Sequence, residues 1–155
     1  MFGHGEGGLA PVAMVTGKSD ADLIGLSRMH GVLIVAAVII SALGLAFHTV
    51  REFGWPALLN PASGMIPVLV VQMALLAAWR RADRQRSLTK ALLATGVIQL
   101  FGGAIISVLP LPILPYAPDQ SVQHYISHVG YGIAQLPLIW LTSRALAAPM
   151  PVRSR

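Results

Sequence analysis

The stretch from His30 to Thr49, HGVLIVAAVIISALGLAFHT, contains no lysine, arginine, aspartate or glutamate over 20 residues. A helix of this length rises about 30 Å, which matches the hydrocarbon thickness of a bilayer. The stretch therefore predicts an α-helix that crosses a membrane.

Three further apolar stretches follow, and each is bounded by residues that end helices. They cover about 64–80, 90–109 and 122–143. A charged segment, RRADRQRSLTK, separates the second from the third. The segment LPLPILPYAPDQ, with four prolines, separates the third from the fourth, and proline lacks the backbone donor that a helix needs. The sequence predicts an all-α integral membrane four-helix bundle. It forms a single domain over 1–155, with 1–20 as a flexible cytoplasmic tail and a helix start near Ala21.

The composition agrees with a membrane protein. Of the 155 residues, 55% are hydrophobic and only 11% are charged, whereas soluble domains carry about 25% charged residues. This excludes a soluble globular domain and a disordered chain. The absence of cysteine excludes disulfides, thiolate metal sites and cysteine nucleophiles.

The basic residues predict the orientation in the membrane. With four spans, one side holds ten lysines and arginines and the other holds Arg51 alone. Cytoplasmic loops carry such an excess, so we expect both termini in the cytoplasm and the protein in the inner membrane. The net charge of +5 then reflects topology, and no continuous basic patch favours nucleic acid.

Polar side chains inside the apolar stretches are the main functional signal, because they are costly in lipid and usually face a cavity or the bundle interior. In the fourth stretch His124, His128, Tyr131 and Gln135 are spaced 4, 3 and 4 residues apart, which places them on one helical face. His48 lies near the same membrane surface as His124. Three imidazoles therefore converge if the first and fourth helices are neighbours.

A second set of polar groups falls near mid-membrane. Gln72, Gln99 and Gln135 lie at similar depth, and Ser41 lies on the small-residue face of the first helix. They predict either a polar pocket formed by Ser41, Gln72 and Gln135 or a hydrogen-bond network between helices. Tyr131, with Gln99 as the nearest polar group of the third helix, is the candidate for stabilising charge on a substrate oxygen.

The histidines admit three interpretations. Imidazole can bind haem iron, so His48, His124 and His128 are candidate haem b ligands. The same three residues are candidate ligands of a divalent metal, because histidines four residues apart suit metal binding. The third interpretation is that they are interfacial histidines that hold no ligand.

Several short segments resemble the family of small four-helix membrane isomerases that contains styrene oxide isomerase and hydroxylaminobenzene mutase. They are Met29-His30-Gly31, His48, Asn60-Pro61-Ala62-Ser63-Gly64-Met65 and Ala117-Pro118-Asp119-Gln120. The resemblance implies rearrangement of a small aromatic substrate, with haem b as a Lewis acid for epoxides, and a homotrimer. The family's histidine before the second helix is missing, since that stretch reads Trp55-Pro56-Ala57-Leu58-Leu59. Its catalytic residues therefore do not carry over.

Three functions follow as hypotheses. The first is a haem b isomerase acting on a small hydrophobic, aromatic epoxide-like substrate. The second is a b-type cytochrome that exchanges electrons with quinone. The third is a non-catalytic accessory subunit of a membrane complex.

Overall fold

The computed structural model describes residues 20–60, 63–81, 85–113 and 118–148, and the side chains of the first helix from Met29 onward. All regular structure in these residues is helical. The helices are α1 (Asp20–Phe53), α2 (Met65–Arg81), α3 (Gln85–Ile98) and α4 (Val122–Ala147). The expected flexible tail, apart from Asp20, lies outside the described residues.

The first helix begins at Asp20, one residue before the expected start, and continues to Phe53. Gly54 ends it with a positive φ of 78°, and the Gly54 N–H donates to the Val50 carbonyl at 2.9 Å. Glycine adopts this left-handed conformation without steric cost and is the usual residue after a helix. A short 3₁₀ turn, Trp55–Leu59, follows.

The third helix differs from the prediction at both ends. It begins at Gln85 rather than near 90, because the residues 85–90 include no glycine or proline to prevent a helix. Beyond Ile98 the chain widens into a π-helical segment, Gln99–Ile105, and then tightens into a 3₁₀ turn, Ile106–Val108. Such π segments are rare and occur frequently at functional sites.

The helices pack with α4 between α1 and α3, and α2 against α3 and α1. The core of this packing is apolar at one end: Ile34, Val38, Leu92 and Leu138 are almost completely buried. The indole N–H of Trp79 donates to Thr89 Oγ1 at 2.9 Å and ties α2 to α3. The other end of the bundle is polar and holds the candidate site.

Two helices of the described chain are long and apolar enough to cross a membrane, judged by length and composition: Met29–Phe53, and Gln85–Val108 taken as one helix. The sequence predicts four such spans. Of the other two helices, α2 has only 17 residues, at the lower limit of a span, and α4 carries the polar face described above.

Candidate functional site

A cavity of about 410 Å³ opens at the polar end of the bundle, where the end of α1, the start of α2, the π-helical segment and the first turns of α4 meet. This volume lies within the range of small-molecule pockets. Apolar walls come from Leu45, Phe53 and Val68, and polar groups come chiefly from α1 and α4. The cavity therefore combines an apolar space with a small set of polar side chains.

The three histidines predicted to converge lie together at this cavity. The ring centroids of His48 and His128 are 4.2 Å apart, and those of His124 and His128 are 4.4 Å apart. The ring of Tyr131 stacks on that of His48, with centroids 5.4 Å apart and an interplanar angle of 12°. The condition set by the sequence, that α1 and α4 are neighbours, is met. His30 lies near the opposite end of α1, and its side chain is exposed.

Glu52, which the sequence analysis does not single out, holds His124. Its Oε2 lies 2.6 Å from His124 Nδ1, and both side chains are largely buried, with exposed fractions of 14% and 11%. The other carboxylate oxygen of Glu52 accepts a hydrogen bond from Ser127 Oγ. Because a carboxylate only accepts hydrogen bonds, His124 Nδ1 carries a proton. The other ring nitrogen, Nε2, is buried and has no hydrogen-bond partner.

The other two histidines are also held through Nδ1. His128 Nδ1 donates to the Gly103 carbonyl at 2.9 Å, and His48 Nδ1 lies 3.4 Å from Ser127 Oγ. A ring N–H held by a carbonyl or carboxylate fixes the tautomer and the orientation of an imidazole. Each of the three rings is therefore held at its Nδ1 edge, by a group from α1, from the π-helical segment or from α4.

The π-helical segment provides one of these anchors and makes room for Tyr131. The Gly103 carbonyl accepts from His128 and also from Ser107 Oγ. A Cβ atom at Gly103 would lie 2.8 Å from Tyr131 Cε1, closer than real Cβ contacts allow, whereas one at Gly102 would meet nothing within 4 Å. The packing of the Tyr131 ring against the π-helical segment thus depends on glycine at 103.

Tyr131 and Gln99, the two predicted catalytic residues, contact each other. The Tyr131 hydroxyl donates to Gln99 Oε1 at 3.2 Å, and both side chains are buried. Tyr131 lines the cavity. Gln99 does not line it, and contacts the Tyr131 hydroxyl from the first position of the π-helical segment. Gln99 thus acts on the cavity only through Tyr131.

The predicted pocket residues Ser41, Gln72 and Gln135 form a hydrogen-bond network instead of lining this cavity. Gln72 Nε2 donates to Ser41 Oγ at 2.8 Å, and Ser41 Oγ donates to Gln135 Oε1 at 2.6 Å. All three side chains are completely buried. The network joins α1, α2 and α4, and none of its three side chains lines the cavity.

The divalent-metal hypothesis for His48, His124 and His128 stays a prediction. Among the described residues, no group of three or more histidine, cysteine or acidic side chains is arranged to hold a metal ion. The rings instead pack edge to face, at interplanar angles of 62° and 61°.

Haem b can be tested against the same geometry. Two imidazoles on opposite faces of one haem have ring centroids roughly 6 Å apart, given metal–nitrogen distances of about 2.0 Å. The pairs of His128 with His48 and with His124, at 4.2 and 4.4 Å, leave no room for a porphyrin between them. A single ligand fits better: His124 offers a buried, unpartnered Nε2 and an Nδ1 held by a carboxylate.

Comparisons of the chain with protein-family models, curated proteins and solved structures give no match, so the function is argued from this site alone.

Proposed function

We propose that the protein is a small multi-pass membrane isomerase that rearranges a small hydrophobic, aromatic epoxide-like compound in the histidine cavity. The observation that carries the proposal is the buried, unpartnered Nε2 of His124, a residue that lines a cavity of about 410 Å³. Buried polar atoms without partners are rare, and at a cavity they indicate a ligand or a reacting group.

Membrane insertion is supported by the surface of the helices. Large apolar side chains point outward on α1, α3 and α4, with exposed fractions of 68% at Val32, 68% at Ile98 and 61% at Ile133. A soluble protein of this size rarely exposes such contiguous apolar area, whereas lipid covers it without cost. We propose four spans with both termini in the cytoplasm and the cavity near the outer surface.

His124 is the residue that would hold haem b, with Glu52 behind it. A carboxylate on the second ring nitrogen raises the basicity of a ligating imidazole. The bound haem would supply a Lewis acid for the epoxide oxygen. Tyr131 can turn its hydroxyl from Gln99 to that oxygen, and Leu45, Phe53 and Val68 bind the aromatic part and exclude water.

The reaction is balanced within the substrate. The bond between the epoxide oxygen and the aryl-bearing carbon breaks, a hydrogen shifts to that carbon from its neighbour, and a carbonyl forms. No atom is gained or lost and no electron donor is required. This distinguishes the proposal from a b-type cytochrome, which needs two histidine ligands and a redox partner. The pairs of His128 with His48 and with His124, at 4.2 and 4.4 Å, leave no room for a haem between them.

The first test is an absorption spectrum of the protein purified in detergent, before and after dithionite, with a product assay on an aromatic epoxide. We expect a Soret band typical of five-coordinate haem and aldehyde formation without a reductant. The His124→Ala variant should lose the Soret band and the aldehyde product. The control Gln123→Ala, which changes the exposed residue next to His124, should keep both the band and the product. Colourless wild-type protein after haem supplementation would exclude haem, and a six-coordinate spectrum with reversible reduction would favour the cytochrome.

A further inference from the structure

The largely buried carboxylate of Glu52 contacts the imidazole of His124. This is the single contact between an acidic and a basic side chain found among the described residues, and Ser127 donates a hydrogen bond to the other carboxylate oxygen. Burial of a carboxylate is unfavourable unless hydrogen bonds or an opposite charge offset it. A glutamine could join α1 to α4 at lower cost, so the charged group has a role beyond joining two helices.

The contacts of the two ring nitrogens of His124 indicate what this role is. Nδ1 faces Glu52 at 2.6 Å, and Nε2 is buried with no partner. A carboxylate cannot donate, so it selects the ring form with hydrogen on Nδ1. In the neutral ring the lone pair is then on Nε2, and His124 is one of the residues that line the cavity.

We propose that Glu52 is the positioning residue that fixes His124 in its Nδ1–H tautomer and so keeps an electron pair on Nε2 for a ligand. The tautomer follows from this pair alone, and only the identity of the ligand, haem iron, rests on the proposed function. Glu52 does not touch the ligand and acts through the imidazole.

Nitrogen NMR of histidine-labelled full-length protein tests the tautomer directly. The protein is produced in a haem-deficient host and measured at mildly alkaline pH, and the His124 signal is assigned by its loss in His124→Gln. We expect hydrogen on Nδ1 and a lone pair on Nε2. A wild-type ring with hydrogen on Nε2, alone or with Nδ1, overturns the proposal, and this measurement needs no Glu52 variant to fold.

Three variants separate positioning from simple helix joining. Glu52→Gln keeps the shape but replaces an acceptor-only group by an amide that can also donate, and should weaken the preference for the Nδ1–H tautomer. Glu52→Met removes the acceptor and should shift hydrogen to Nε2. Asp119→Asn, at the exposed acid before α4, should leave His124 unchanged. An unchanged tautomer in folded Glu52→Met would contradict the proposal.

Haem titration then links the tautomer to ligand binding. Loss of the partner of a ligating imidazole typically weakens metal affinity about 10–100-fold, so we expect a weakening in that range for Glu52→Met and a smaller one for Glu52→Gln. Equal haem affinity in the wild type, Glu52→Gln and Glu52→Met would contradict a positioning role. If the wild type shows the expected tautomer but binds no haem, the proposed function fails and the role of Glu52 stands.

Discussion

At the scale of single residues, the histidine cluster depends on partners that lie far away in the sequence. Glu52 and His124 are 72 positions apart, and Gly103 and His128 are 25 apart. His124, His128 and Tyr131 were identifiable from their helical spacing, and His48 from its predicted depth in the membrane. Glu52 was not identifiable, because it lies at the end of α1 beside Arg51, where a charge is expected to face solvent. A buried acid shows no sequence signal when its partner is on another helix.

Gly103 provides the residue-scale prediction. Gly103→Ala places a methyl group 2.8 Å from the Tyr131 ring, and overpacking of this kind costs about 1–3 kcal/mol. We expect a lower unfolding temperature in detergent and loss of the proposed isomerase activity. Gly102→Ala is the matched control for stability on the same π-helical segment and should keep the unfolding temperature of the wild type. Equal stability of the two variants would show that α3 and α4 separate more easily than this packing implies.

At the scale of elements, the contact of α1 with α4 decides whether the site exists. The closest approach is at Gly44, where an added Cβ would lie 2.2 Å from Ala134 Cβ. Small residues at such crossings allow helix backbones to approach in membrane proteins. The crossing brings the end of α1, with His48 and Glu52, against the start of α4. The π-helical segment of α3 completes the site, and its wider turn is not encoded by hydrophobic periodicity.

Gly44→Ala tests this crossing. The helices must move apart to accept the methyl group, and we expect a destabilisation of about 3 kcal/mol together with an altered spectrum of the proposed haem. Gly31→Ala, on the same helix, meets only Trp79 at 3.8 Å, an ordinary contact, and serves as the control. Wild-type stability of Gly44→Ala would place the α1–α4 contact elsewhere.

At the scale of the whole molecule, charge and apolar surface determine how the protein sits in its surroundings. Ten of the eleven basic residues fall on one predicted side. The polar cavity lies at the other end of the bundle, where α1 ends and α4 begins. In the proposed topology a hydrophobic substrate reaches the cavity from the outer leaflet or the space outside it.

The topology can be measured because the chain has no cysteine, so each introduced thiol is unique. Asn60→Cys, at the cavity end, should react with a membrane-impermeant maleimide in intact cells. Ser87→Cys, at the start of α3, should react only after the membrane is opened. Labelling of both positions from the same side would contradict the four-span arrangement, and the reversed pattern would contradict the orientation.

Local patterns in the sequence were enough to predict which segments are helical, where most of them end, and which polar side chains share a face of α4. These properties depend on local spacing, on proline and glycine, and on the cost of polar groups in an apolar helix. Other features emerged only in the folded chain: Glu52 holds His124, Gln99 accepts from Tyr131, and the chain widens into a π-helical segment around Gly103. The separate network of Ser41, Gln72 and Gln135 also emerged only there. Those outcomes depend on how close two helices approach and at what register, which is set by packing between residues distant along the chain.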